Sequence, residues 1–345
     1  MTGHLRSRVL PSAILAAVVP ALAGAQAPAE AQEDNSSPME EVSVTAERFR
    51  ATVQTTPVAI TAISGETLTN RQIGNVWQAA PEIPGTVIMP NINSSNNARI
   101  VMRGAGQENS GIHFDQGVGV YIDDVIQPRV NGAFFDFFDV GSVEVLRGPQ
   151  GTLYGRNSSG GAIKIITRRP AHEWSFSAEA AAGNWNAFSG KAYLTGPIIK
   201  DLLAFSVSGS MNKHDGYLYS PFYDDRVGDV ENSAQRVKLL YTPTDNLEFE
   251  LEYHFIQDYS EPTYGVPLMV EPNVVGTQAN GTRNRDLTIT ENLGDPGHPF
   301  LYNDGGSLHV RWFNGPMEVT YIGGVGNLRT YSDGTVGLVL TRAAQ

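Results

Sequence analysis

The sequence predicts two regions: an N-terminal α/β (α+β) domain over residues 47–170, and an antiparallel transmembrane β-barrel fragment of about eight strands over 171–345, open rather than closed. Three observations carry this. In the second region, apolar and polar residues alternate strictly, so that Leu247, Phe249, Leu251, Tyr253 and Phe255 interleave with Glu248, Glu250, Glu252 and His254. Short turns at Gly196-Pro197, Pro243-Thr244-Asp245-Asn246 and Asn314-Gly315-Pro316 alternate with longer loops near 214–231 and 258–305. Ahead of both regions stands an apolar leader.

Residues 1–25 combine Arg6 and Arg8 with an apolar stretch from Val9 to Leu22 and end in the small-x-small sites Ala21-Leu22-Ala23 and Ala23-Gly24-Ala25, the pattern of a signal peptide. An amphipathic first helix is the alternative, but the stretch lacks a polar face. Residues 26–40 are Ala, Pro, Ser and acidic residues with little to bury, and read as a disordered tether. Glu41-Val42-Ser43-Val44-Thr45-Ala46 is then a short β-prone segment. Val58 to Ile63 reads as a strand, Glu66 to Ala80 as a helix stopped by Pro81, and Ile100 to Met102, Val118 to Ile122, Val143 to Leu146 and Ile163 to Ile166 as short strands. Beyond residue 170, alternation marks Trp174 to Ala182, Phe188 to Thr195, Leu203 to Met211, Val237 to Tyr241, Leu247 to Phe255, Leu308 to Trp312, Met317 to Ile322 and Thr335 to Thr341. A soluble antiparallel sandwich would alternate in the same way; the loop parity and the leader favour the membrane barrel.

Composition excludes several function classes. The chain of 345 residues has no cysteine, hence no disulfide framework, thiolate metal site or cysteine nucleophile. A net charge of −12 argues against a nucleic-acid binder. It is unevenly placed: residues 41–170 hold 11 basic and 11 acidic residues, residues 171–345 hold 11 and 21. Gly155 and Gly160 have the spacing of a phosphate loop, but Gly161-Ala162 stand where Lys and Ser/Thr would be needed. HExxH and GxSxG are missing and the seven His are scattered, so neither an enzyme nor a cofactor is expected. The acidic residues of loop 258–305 could bind Ca²⁺, and read more simply as a solvated loop.

One stretch is specific. Residues 143–170 read VEVLRGPQGTLYGRNSSGGAIKIITRRP, preceded by Pro57-Val58-Ala59-Ile60-Thr61, Ala80-Pro81, Pro84-Gly85, Ile100-Val101-Met102-Arg103-Gly104 and Gly119-Val120-Tyr121-Ile122-Asp123-Asp124. In this order and spacing they resemble the plug domain of a TonB-dependent outer-membrane receptor, and the alternating half is consistent with the start of that family's barrel. The resemblance implies a Gram-negative outer-membrane location and an importer that binds a small ligand such as a metal chelate, most commonly a ferric siderophore. It implies a periplasmic partner, the C-terminal domain of TonB, with lipid and lipopolysaccharide around the barrel.

The resemblance also implies site residues. Glu41, Val42, Ser43, Val44, Thr45 and Ala46 would be the TonB box, a segment able to add as a strand to a partner's sheet edge. Arg103 and Arg147 would seat the plug by pairing with glutamates on the barrel wall. Arg99, His113 and Phe114, by the apical loops, would face the ligand. A plugged lumen goes with about 22 strands, whereas the 175 residues after position 170 give about eight at roughly 10 residues each. The chain is therefore expected to be a truncated piece of such a receptor. A non-transporting remnant and a secreted β-rich binding protein are the alternatives.

Overall fold

The computed structural model describes residues 43–44, 51–52, 58–91, 94–106, 115–129, 139–220, 224–261 and 300–331. The leader and tether of residues 1–40 and the strand expected at 335–341 lie outside them. Glu41–Gln345 form one compact unit.

The N-terminal domain begins with β1 (Ser43–Val44) and β2 (Ala51–Thr52), a two-residue antiparallel pair in which Ser43 faces Thr52. β3 (Ile60–Ser64) leads into α1 (Gly65–Asn70), whose N-cap Ser64 accepts a hydrogen bond from Thr67 N at 3.2 Å. The helix expected over 66–80 is in fact two. Gln72 takes φ 55°, and Asn75 caps the new α2 (Val76–Ala79) by accepting from Gln78 N at 3.0 Å. A 3₁₀ turn, Ala80–Glu82, comes next with Pro81 in its first turn. The break is local cap chemistry, which an apolar period running through both halves hides.

β4 (Thr86–Asn91), β5 (Ser94–Met102) and β6 (Ala105–Gly106) form a small antiparallel sheet. β7 (Val118–Ile122), β8 (Val125–Gln127), β9 (Val140–Arg147), α3 (Gly151–Tyr154) and β10 (Gly161–Thr167) complete the domain. The main sheet runs β3-β9-β10-β7-β8, with β7 and β10 parallel and its other pairs antiparallel. Val76, Met102, Val120, Val145 and Ile163 make its core at 1% exposure or less.

The second region is a seven-stranded antiparallel meander among the described residues: β11 (Ser175–Ala182), β12 (Phe188–Ile199), β13 (Leu203–His214), β16 (Val230–Thr244), β17 (Leu247–Asp258), β18 (Phe300–Asn314) and β19 (Met317–Tyr331). A side hairpin of β14 (Leu218–Ser220) and β15 (Asp225–Val227) sits in the connection from β13 to β16. Pro197 and Pro243 fall at the register breaks of β12 and β16, where a missing N–H is tolerated. β18 starts at Phe300, not Leu308, and β19 runs on to Tyr331. The missed part of β18 carries Asn303, Asp304, Gly305 and Gly306, which leave no apolar alternation to detect.

Burial separates the membrane sheet from the soluble sandwich. Val207, Val237, Leu251, Tyr253 and Val319 are exposed, while Arg236, Lys238, Glu250, Glu252 and His309 on the opposite face are buried. A sheet of a water-soluble protein would have the reverse. Aromatic residues collect at both ends. Trp174 meets Phe205 at 5.8 Å between ring centroids and Tyr241 meets Phe249 at 6.0 Å; at the other end Phe255 meets Tyr302 at 6.2 Å and Phe300 meets Tyr331 at 5.6 Å. From Trp312 to Phe300 on β18, at ~3.4 Å per residue and ~40° tilt, the belts stand about 30 Å apart, enough to bracket an apolar band of ~25 Å. Leu251 lies between them facing outward. Leu251→Arg is expected to cost about 2–4 kcal/mol, read as a lower urea midpoint for loss of heat-modifiable gel mobility in lipid.

Candidate functional site

The two regions meet in a buried ionic clasp. The hairpin β7–β8 turns on two residues, Asp123 and Asp124, both with positive φ (46° and 64°), as a tight two-residue turn requires. The turn sends their carboxylates in different directions. Asp124 takes Lys164 Nζ at 2.8 Å, inside the domain. Asp123 accepts Thr167 N at 2.8 Å and Thr167 Oγ1 at 2.6 Å, and reaches out to Lys238 Nζ of β16 at 2.8 Å. Lys238 also holds Glu250 Oε1 at 3.1 Å. Glu250 in turn accepts Arg169 Nε at 3.0 Å and Arg311 Nη1 at 3.4 Å, and Glu248 takes Arg169 Nη2 at 2.8 Å.

A second set lies beside it. Asp139, just before β9, accepts from Arg236 and from Ser208 Oγ, the latter at 2.9 Å. Arg236 Nε donates to Glu252 Oε1 at 3.1 Å, and His254 Nδ1 lies 2.9 Å from the same oxygen. Two carboxylates of the first domain thus grip two cations of β16, and glutamates of β17 hold those cations from behind. Strand alternation creates the geometry: Arg236 and Lys238, like Glu248, Glu250 and Glu252, occupy every second position and so share the inner face. The same hairpin leans on the wall at Gly324, where a Cβ would lie 2.7 Å from Val125 Cγ1.

Burial by itself would push the Asp123 carboxyl up; the charges of Lys238 and Arg236, with the Lys238 and Thr167 hydrogen bonds, outweigh it and hold the group well below the usual carboxylate range. A group depressed in this way contributes stability that is fully present above its unfolded pKa, about 4, and is lost only as pH falls through the lower folded value. The Asp123 contribution to seating is therefore expected to stay flat from pH 9 to pH 5. It should start to fade only below about pH 4, as followed by protease resistance of the domain at each pH.

The residues expected from sequence fall in several places. Arg103, exposed and with φ 49°, forms the β5–β6 turn, and its N–H donates to Gly85 O at 2.8 Å. Arg147 ends β9 and donates from Nη1 to Pro84 O at 3.2 Å. Among the described residues neither meets a barrel carboxylate; Arg147 ties the end of β9 to the segment leading into the small β4–β6 sheet, and Arg103 fixes that sheet's own turn. Seating runs in both polarities: Asp123 and Asp139 of the plug meet Lys238 and Arg236 of the wall, and Arg169, at the end of the plug, meets Glu248 and Glu250. The clasp residues were visible in sequence as the Asp123-Asp124 motif and as charges at alternate strand positions, but nothing there paired them. Arg99 lies half-buried on β5 opposite Met89. His113 and Phe114 lie outside the described residues, as do Glu41, Val42, Thr45 and Ala46, whereas Ser43 and Val44 form β1.

Comparison with known proteins adds the family. The model for the TonB-dependent receptor plug domain matches residues 52–162. The pesticin receptor of Yersinia enterocolitica serotype O:8 is 31% identical over 295 residues, covering 84% of this chain and 40% of the relative. The iron-regulated outer membrane virulence protein of Vibrio cholerae is 26% identical over 230 residues, 63% of this chain and 34% of the relative. Among solved structures, the ferric yersiniabactin uptake receptor FyuA from Yersinia pestis superposes with a TM-score of 0.66 at 22% identity, over 81% of this chain and 42% of that one, a likeness of fold. The chain spans about 40% of the length of the first of these relatives.

Proposed function

We propose that this chain, a member of the TonB-dependent outer-membrane receptors with a plug and the first strands of its barrel, acts in the import of a ferric chelate across the outer membrane, drawing on TonB for energy. The single observation that carries this is a folded plug clasped to the barrel wall by a compact set of buried charge pairs. Charge-assisted contacts of this kind are strong in place, yet few enough to be released together by a pull on the chain. The relatives named for iron supply the chelate class.

The pull would be applied through residues 41–46. Ser43 and Val44 are tied back by only a two-residue ladder to Ala51 and Thr52, and so short a ladder is marginal by itself. Freed, the segment can extend the edge of a partner's sheet through its main chain. Val44→Pro removes one N–H and fixes φ, which breaks such a ladder without touching the plug core.

The test uses the gene product in cells lacking other iron receptors, with radioiron-loaded yersiniabactin and a catecholate chelate as probes. Val44→Pro should keep surface binding of the chelate and reduce uptake by at least about tenfold, equivalent to about 1.4 kcal/mol or more in the energised step. Uptake unchanged in Val44→Pro would remove the TonB role from these residues, and no uptake of either chelate by the parent would remove the assignment to those two chelates.

A further inference from the structure

The inner face of the barrel wall is divided into two. On β16–β18 the inward positions carry Arg236, Lys238, Glu248, Glu250, Glu252 and Arg311, and the plug is clasped there. On β11–β13 the inward positions are mostly small and polar. Glu179 and Lys191 pair there at 2.9 Å, but with each other across β11 and β12. Among the described residues no ion pair joins the plug to β11–β13. Between this half of the wall and the α1–α2 segment of the plug lies a cavity of about 510 Å³, lined by Ser177, Ser189, Ser210 and Asn212 from the wall and by Thr69 and Gln72 from the plug.

The two halves differ in what motion they permit. Separating plug from wall along β16–β18 would strand buried charges, which is heavily disfavoured for each ion left unpaired. Along β11–β13 it would break hydrogen bonds rather than ion pairs, those of Ser208 Oγ to Asp139 and of Tyr193 Oη to Arg169 O, and widen a space whose hydroxyl and amide groups water can satisfy. We propose that the imported solute passes along β11–β13, through this cavity, while the plug stays hinged on the clasp at β16–β18. The lining sets hydroxyl and amide groups beside Leu68, Ile73, Val140 and the Glu179–Lys191 pair, which suits a solute that presents oxygens together with some apolar surface. The guanidinium of Arg168, stacked 5.3 Å from the Tyr193 ring centroid at the cavity edge, favours one that is neutral or anionic. This inference rests on the import reading above.

The absence of cysteine makes the test clean. Single variants Ser189→Cys and Ser210→Cys in the cavity wall are compared with Ala234→Cys and Ser307→Cys, which are inward-facing on β16 and β18 and buried outside it. The probe is a hydrophilic maleimide added outside intact cells. Both cavity cysteines should label at least about tenfold faster than both controls, since thiol reactivity depends on access. Equal rates overturn the proposal. In the second arm the cavity cysteines carry a bulky biotin maleimide, and uptake of radioiron-loaded yersiniabactin should fall by about tenfold or more with surface binding retained; undiminished uptake overturns the proposal. A parent that takes up no iron in that assay points instead to the import reading for this chelate, and the passage then stands or falls on the labelling rates.

Discussion

Replacing Lys238 with methionine will unseat the plug while leaving the barrel strands inserted. Lys238 is 1% exposed, and its ammonium bridges Asp123 of the plug to Glu250 of the wall. Without it Glu250 keeps Arg169 and Arg311, but Asp123 keeps only the two hydrogen bonds from Thr167. Removing one partner of a buried ion pair costs on the order of 3–5 kcal/mol, because the other charge stays buried. The expected readout is protease cleavage within residues 58–167 in outer-membrane vesicles, with unchanged heat-modifiable mobility of the barrel. The double variant Asp123→Asn with Lys238→Met should recover much of the resistance, since Asn can still accept from Thr167 and no stranded charge remains. Acid should also rescue the single variant, in contrast to the parent. With Lys238 gone, its attraction no longer offsets burial, so the Asp123 carboxyl takes up a proton more readily than in the parent, and acid neutralises the charge that disfavours seating. A single variant as resistant as the parent at pH 7 would show that the clasp does not hold the plug.

Gly161→Val will unfold the plug itself. Gly161 opens β10 with φ 148°, and a Cβ there would lie 2.3 Å from Leu146 O and 2.6 Å from Met102 Sδ. Both neighbours are fully buried, one in β9 and one at the end of β5, so neither has room to retreat. Overpacking costs about 1–3 kcal/mol and the backbone strain about 1–3 more, a large share of the stability of a small domain. Gly151→Ala is the control: a Cβ there meets nothing within 4 Å, and alanine is the better residue in α3. The valine variant should lose protease protection across the whole plug, and the alanine variant none.

Much of this architecture can be read from the chain because strand alternation is a strong signal where one side is lipid. The run Leu247 to Phe255 states both its register and its inward face, and Arg236 and Lys238 do the same for β16. The signal fails where side chains are small or polar on both sides, as at the start of β18, and where one side chain decides a boundary, as Asn75 does between α1 and α2. The clasp was the least legible part. Asp123 and Lys238 are far apart in sequence, and which plug charge meets which wall charge is set by how the β7–β8 hairpin turns. Family resemblance suggested Arg103 and Arg147 on barrel glutamates; among the described residues it is Arg169 that meets Glu248 and Glu250, while Asp123 and Asp139 meet Lys238 and Arg236.

Strand order has a kinetic consequence. Each strand of the large sheet pairs with its neighbour in that sheet, mostly across turns of a few residues, so that sheet can zip hairpin by hairpin at little cost in loop closure. The plug sheet cannot. Its second strand, β9, pairs with β3, so Ile60 must find Leu146, and β10 must then insert between β9 and β7. Contacts so distant form slowly. The wall is then expected to be built first, with Arg236 and Lys238 held by Glu252 and Glu250 of β17, and the plug to complete its own fold against those charges as against a template. Stopped-flow or pulse-labelling refolding into micelles should find protection of β16–β17 amides ahead of β9–β10.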